Sequence, residues 1–172
     1  MNILELFKPI KTFVFDVDGV LATDLMLIEP NTMARSMNSK DGYALQLAIK
    51  KGYRVAIISG GKSAPVMERL IGLGILDVYL GETNKSGRLQ QYVAQHNLKW
   101  NEILYMGDDI PDHAPMLLVG LPCCPADAVN EVKSISRYIS PLFGGKGCGR
   151  DVIEKVLKLN GHWSHEETVA SK

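Results

Sequence analysis

Short apolar runs, each followed by a turn and then a stretch of helical periodicity, recur along the chain. The runs are Thr12–Phe15, Val55–Ile58, Val78–Leu80, Ile103–Met106 and Leu121–Cys124. None alternates apolar with polar residues. Each is apolar almost throughout, as in strands covered on both faces by helices. Between them, residues 42–51 place Leu45, Ala48 and Ile49 on one helical stripe and stop at Gly52. Residues 64–72 do the same with Val66 and Leu70, and helices are also predicted over 86–97, 111–119 and 149–159. Strand alternating with helix predicts right-handed crossovers and an α/β, doubly wound, Rossmann-like parallel sheet. Such sheets hold ligands beyond the carboxyl ends of their strands. The residues directly after each apolar run are therefore the candidates for chemistry.

Residues 21–39 break this rhythm. Their helical periodicity is weak, and the turn signal Pro30-Asn31 predicts a β-hairpin flap after the first strand. The flap carries Leu25, Met26, Leu27, Ile28, Met33 and Met37, more apolar surface than a solvated hairpin needs. It either folds back on its own domain or meets another subunit. The stretch 164–172 is polar, has no core face, and is expected to be frayed. Residues 1–163 are expected to form one domain.

Composition narrows the classes. The 172 residues carry nineteen Lys and Arg against nineteen Asp and Glu, a formal net charge of zero. Nucleic-acid and membrane-surface proteins need a basic excess, so neither kind of partner is expected. No apolar run is long enough to span a bilayer, and MNILELFKPIK does not read as a signal peptide. Three cysteines, two of them adjacent, argue against a disulfide framework and point to a reducing cytoplasm. The four histidines are scattered, which disfavours a structural zinc site.

Four of the run ends carry polar groups. The first ends in Asp16-Val17-Asp18-Gly19, two carboxylates that cannot both be core. The second ends in Ser59-Gly60-Gly61, a hydroxyl with glycine amides that either binds a phosphate oxygen or caps a helix. Lys85 follows the third run, where a lone lysine is ordinarily a solvated charge. The fourth ends in Gly107-Asp108-Asp109-Ile110-Pro111-Asp112. Capping of the helix opened by Pro111 accounts for one of these three carboxylates, and a cation is needed to neutralise the rest. Together the four sets place clustered Asp oxygens, a hydroxyl and a lysine on one sheet edge. That chemistry suits Mg²⁺ with a phosphate substrate, and a carboxylate there can act as nucleophile.

This set resembles the haloacid dehalogenase superfamily of phosphotransferases. Its four motifs correspond to Asp16-Val17-Asp18-Gly19-Val20, Ser59, Lys85 and Gly107-Asp108-Asp109-Ile110-Pro111-Asp112. Only 40 residues separate Asp18 from Ser59, and 25 separate Ser59 from Lys85, so neither gap holds a cap domain. Within the capless group the chain is similar to the 3-deoxy-D-manno-octulosonate 8-phosphate (KDO 8-phosphate) phosphatases. The shared stretches are Asp18 to Asp24, Lys40-Asp41-Gly42 and the glycine-rich Gly144 to Arg150. Many of these phosphatases have Arg directly after the Ser-Gly of the second motif, where this chain has Gly61. Relatives acting on nine-carbon ketoacid 9-phosphates of KDN or sialic-acid type share the core motifs and are the alternative.

The resemblance implies a Mg²⁺-dependent phosphate monoester hydrolase acting on an acidic sugar phosphate, assembled as a homotetramer in which a neighbour substitutes for the cap. It implies Asp16 as nucleophile and Asp18 as acid and base. Mg²⁺ would be held by Asp16, the Asp18 carbonyl and Asp108, with Asp109 in support and Asp112 orienting its neighbours. Ser59, the Gly60 amide and Lys85 would stabilise the transferring phosphoryl group. Lys40, Arg88, Lys146 and Arg150 are the candidates for the remaining substrate charge. Two other classes fit less well. Phospho-acceptor signalling domains order their acidic motifs differently, and a catalytically silent binding subunit has no need of intact Asp16, Asp18, Lys85 and Asp108.

Overall fold

The apolar runs become strands of one parallel sheet in the computed structural model, which describes residues 2–165 and 167–170. In chain order the sheet strands are β1 (Thr12–Phe15), β4 (Arg54–Ser59), β5 (Asp77–Leu80), β6 (Ile103–Met106), β7 (Leu121–Cys124) and β8 (Tyr138–Ile139). The antiparallel pair β2 (Leu27–Glu29) and β3 (Thr32–Ala34) forms the flap. The sheet order is β5-β4-β1-β6-β7-β8, with β1 in the middle. Phe15 is in register with both Ile57 and Met106, so the carboxyl ends of β1, β4 and β6 lie side by side.

The uninterrupted apolar runs have a simple cause. Successive strand residues face opposite sides, and both sides are covered. Phe13, Phe15, Val55, Ile57, Leu104 and Met106 belong to one core layer, with α1 (Ser39–Lys50), α2 (Ala64–Gly72) and α6 (Cys148–Leu159). Val14, Ala56, Ile58, Ile103 and Tyr105 belong to the other, with α3 (Lys85–Gln95), α4 (Ile110–Met116) and α5 (Asn130–Ile135).

The elements α5 and β8 have no counterpart in the sequence reading. α1 begins three residues earlier than its apolar stripe indicates, because the Asn38 side chain caps it by accepting from the Lys40 N–H. The flap turns at Asn31, whose φ of 67° lies in the left-handed region that Asn tolerates. Leu25, Leu27 and Ile28 stay exposed in the single chain, with Leu25 at 80%. The stretch expected to be frayed lies partly outside the described residues, at 166, 171 and 172. Its described part lies along α1, where Val169 packs on the core and Gln46 donates to the Ala170 carbonyl at 3.1 Å.

Asp41 ties α1 to α6. It is buried, its Oδ1 accepts the Arg150 N–H at 2.6 Å, and its Oδ2 has no hydrogen-bond partner among the described residues. Burial pushes its pKa from 3.8 up to about 6, against the pull of Arg150. The folded state thus keeps a proton that the unfolded chain releases, and stability falls as pH rises from about 4 through about 6. Asp41→Asn removes this dependence. In thermal melts against wild type, the variant is expected to gain more at about pH 7 than at about pH 5. An equal offset at both would show that Asp41 does not titrate in that window.

Candidate active site

The central position of β1 delivers Asp16 to the middle of the sheet's carboxyl edge. Its Oδ1 accepts the Val17 N–H at 2.6 Å, and its Oδ2 accepts from the Lys85 ammonium at 2.6 Å. Lys85 is the first residue of α3, and its side chain is only 5% exposed. Its ammonium also donates to Asp112 Oδ1 at 2.8 Å. Asp112 is fully buried and accepts further bonds from the Tyr105 hydroxyl at 2.8 Å and the Asp108 N–H at 3.2 Å. Lys85 is therefore not a solvated charge. It is the cation at the centre of a buried acidic cluster.

Asp108 is the odd member. Its carboxylate has no hydrogen-bond partner among the described residues, yet oxygens of Asp16, Asp108 and Asp112 all lie within 4.8 Å of one another. Burial and the charges of Asp16 and Asp112 push the Asp108 pKa up to about 8. Burial, and then Asp112, push Asp16 up to about 6, against the pull of Lys85 and of the Ser59 hydroxyl. Burial depresses the Lys85 pKa, but the two carboxylates more than offset it, and the net shift is upward. Three carboxylates facing one ammonium fit a hard divalent cation, which would restore charge balance and take the free Asp108 oxygens.

Two glycines make the close approach possible. Gly19 has φ 80°, and a Cβ there would fall 1.9 Å from Asp108 Oδ2. A Cβ on Gly107 would fall 2.3 Å from the Asp112 Cβ.

The cleft at this edge has a volume of about 560 Å³ and is lined by Asp16, Asp18, Ser59, Gly60, Lys85 and Asp108, among others. Asp109 lines its rim, but its Oδ1 caps α4 by accepting the Ile110 N–H at 2.8 Å. The carboxylates that lie together are those of Asp16, Asp108 and Asp112.

Of the expected substrate cations, three lie elsewhere in the single chain, whereas Arg88 pairs with Glu82, which lines the catalytic cleft. Lys40, Lys146 and Arg150 line a separate cleft of about 550 Å³ beside α6. Arg150 pairs with Glu154 at 3.2 Å and stacks over the rings of Trp163 and Tyr43. Arg88 pairs with Glu82 at 2.8 Å over the Tyr79 ring. The glycine-rich stretch reaches the site through its backbone, since Gly144 abuts Gly19 and the Gly145 N–H donates to the Val20 carbonyl at 2.8 Å.

Two participants were missed. Tyr105 reads in sequence as one more core residue of an apolar strand, and nothing local reveals its bond to Asp112. Arg35, just past β3, pairs with Asp18 across the cleft wall at 2.6 Å. An isolated arginine in an apolar flap was the available signal.

No protein-family model matches the chain. The chain is 32% identical over 161 residues to the 3-deoxy-D-manno-octulosonate 8-phosphate phosphatase KdsC of Salmonella typhi, covering 93% of this chain and 86% of the relative. Among solved structures, it superposes with a TM-score of 0.87 and 30% identity on the 3-deoxy-D-manno-octulosonate 8-phosphate phosphatase of Moraxella catarrhalis, covering 91% of each chain. That crystal structure holds a magnesium ion, a phosphate ion and KDO. A structure from Legionella pneumophila, described as belonging to haloacid dehalogenase subfamily III A, matches with a TM-score of 0.89 and 32% identity over 92% of this chain and 88% of that one.

Proposed function

Since this chain belongs to the 3-deoxy-D-manno-octulosonate 8-phosphate phosphatase family of the haloacid dehalogenase superfamily, we propose that it hydrolyses KDO 8-phosphate to KDO and phosphate. The observation that carries this reading is the buried Asp16–Lys85–Asp112 cluster with the unpartnered Asp108 carboxylate beside it.

Asp16 attacks phosphorus in line. The bond from phosphorus to the sugar oxygen breaks, and that oxygen takes a proton from Asp18. Water then attacks the aspartyl-phosphate, Asp18 takes its proton, and Asp16 is regenerated as phosphate leaves. The Val17 N–H and Lys85 orient the Asp16 carboxylate for attack. Lys85, the Ser59 hydroxyl and the Gly60 N–H stabilise the phosphoryl oxygens, where transition-state charge spreads. Asp112 acts through Lys85 and the Asp108 backbone, holding both in place. Asp16, Asp108 and the Asp18 carbonyl would hold Mg²⁺, which when bound offsets the negative charge of carboxylates and phosphate.

A phosphate-release screen over KDO 8-phosphate, KDN 9-phosphate, N-acetylneuraminate 9-phosphate and hexose phosphates tests the substrate. KDO 8-phosphate is expected to give the highest kcat/KM, and a nine-carbon preference would overturn the assignment. Activity is expected to need a divalent metal, with Mg²⁺ supporting turnover and Ca²⁺ inhibiting it, because the larger Ca²⁺ tolerates looser geometry. Full activity after exhaustive chelation would remove the metal from the reading.

We also propose a homotetramer in which a neighbour encloses the open cleft. The exposed Leu25, Leu27 and Ile28 of the flap support it. Replacing Leu25 and Leu27 with Asp is expected to dissociate the assembly and raise KM, as read by light scattering and steady-state kinetics. A wild-type monomer at micromolar concentration with full activity would exclude it. Among the described residues no helix is long and apolar enough to cross a membrane. The proposed compartment is the cytoplasm, supported by three buried cysteines that are all free.

A further inference from the structure

Arg35 belongs to an exposed flap, yet its side chain is 5% exposed. Its Nε donates to Asp18 Oδ1 at 2.6 Å and its Nη2 to Asp18 Oδ2 at 3.2 Å, while Nη1 donates back to the Met33 carbonyl of β3 at 3.2 Å. Both oxygens of the Asp18 carboxylate are thus gripped by one planar fork, and the fork is anchored to the flap backbone. A lysine supplies a point charge and not this two-point geometry. Gly61 leaves the space for it. A Cβ there would fall 2.9 Å from Asp18 Oδ2 and 3.0 Å from Arg35 Nη2. Asp18 lines the cleft that holds Asp16, whereas Arg35 does not; it shares a small crevice with Asp18, Ser59 and Gly61 and also lines the open cleft between the flap and α2.

We propose that Arg35 is the positioning residue for Asp18, so that the flap sets the group that exchanges protons with the leaving oxygen and the attacking water. The inference rests on the reading of Asp18 as acid and base. Each carboxylate oxygen has two lone pairs, and the fork takes one on each, which leaves the others open to a proton. Arg35 itself gives up no proton.

The test compares leaving groups. A p-nitrophenolate departs without a proton, whereas an alkoxide needs one from Asp18. Wild type, Arg35→Gln and Arg35→Lys are assayed with saturating Mg²⁺ on p-nitrophenyl phosphate, a simple alkyl phosphate lacking a carboxylate, and KDO 8-phosphate. Because kcat/KM reports the step in which the leaving group departs, its alkyl-to-aryl ratio is expected to fall at least about tenfold in Arg35→Gln. Arg35→Lys is expected to recover part of that loss. Gly61→Ala keeps both charges and pushes on the fork from the other side, so its ratio is expected to move the same way, with circular dichroism confirming the fold. A uniform loss on all three esters overturns the proposal, as does a loss confined to KDO 8-phosphate or an unchanged ratio. Crystal structures of wild type and Arg35→Gln give an independent reading. An Asp18 carboxylate that keeps its orientation without Arg35 overturns the proposal, whatever the activities. A wild type that hydrolyses none of the esters refutes the phosphatase reading and leaves that structural comparison to decide Arg35.

Discussion

Asp16→Asn is expected to leave less than about a hundredth of wild-type kcat, a loss of at least roughly 2.7 kcal/mol of transition-state stabilisation. The amide has no charge with which to attack phosphorus and is a poor metal ligand. The fold should survive. Asn is nearly isosteric, its oxygen can still accept the Val17 N–H, and Lys85 keeps its bond to Asp112. Burial and the neighbouring Asp112 already disfavour the charge on Asp16, so removing it does not leave a large unbalanced group. Phosphate release under saturating substrate and Mg²⁺, with circular dichroism as the control for folding, checks this. Retention of more than about a hundredth of kcat would exclude Asp16 as the covalent nucleophile.

The parts of the molecule legible in sequence share a physical cause. β1, β6 and β7 end where their apolar runs end, because burial on both faces demands an apolar residue at every position. Asp16, Ser59, Lys85 and Asp108 are legible because a polar group at the end of a buried strand has few other uses, and four of them converge on one edge. α5 and β8 carried no signal, since six and two residues are too short for a period to show. Asp109 and Asp112 were assigned different roles only through the resemblance, and the helix start shows their different surroundings, with Asp109 at the cap and Asp112 one turn inside, facing Lys85. Lys146 and Arg150 were read as charge for an acidic substrate, and in the single chain they line a separate cleft, whereas the glycines of the same stretch matter to the site for their lack of side chains.

That difference gives the second large effect. Gly144→Ala is expected to disable the site although no atom of residue 144 need touch substrate. A Cβ there would fall 2.0 Å from the Gly19 carbonyl oxygen and 2.5 Å from its carbon, both backbone atoms that no rotamer change can move aside. Gly19 cannot retreat, since its own Cβ position is 1.9 Å from Asp108 Oδ2. Residue 144 cannot retreat easily either, because its N–H donates to Asp127 at 2.9 Å and the next N–H donates to Val20 at 2.8 Å. The strain must therefore pass through the loop after β1 into the metal-facing carboxylate. Overpacking of this kind costs about 1–3 kcal/mol. That corresponds to a fall in Tm of roughly 2–12 °C for a chain of this size. Displacing the Asp18 loop by a few tenths of an ångström to an ångström should cost at least about tenfold in kcat/KM. Gly72→Ala is the control: it ends α2, a Cβ there meets nothing within 4 Å among the described residues, and Ala is the better helix former. Calorimetry and steady-state kinetics on both variants decide the matter. A Gly144→Ala protein with wild-type Tm and kcat/KM would show that the glycine-rich stretch does not buttress the catalytic loop.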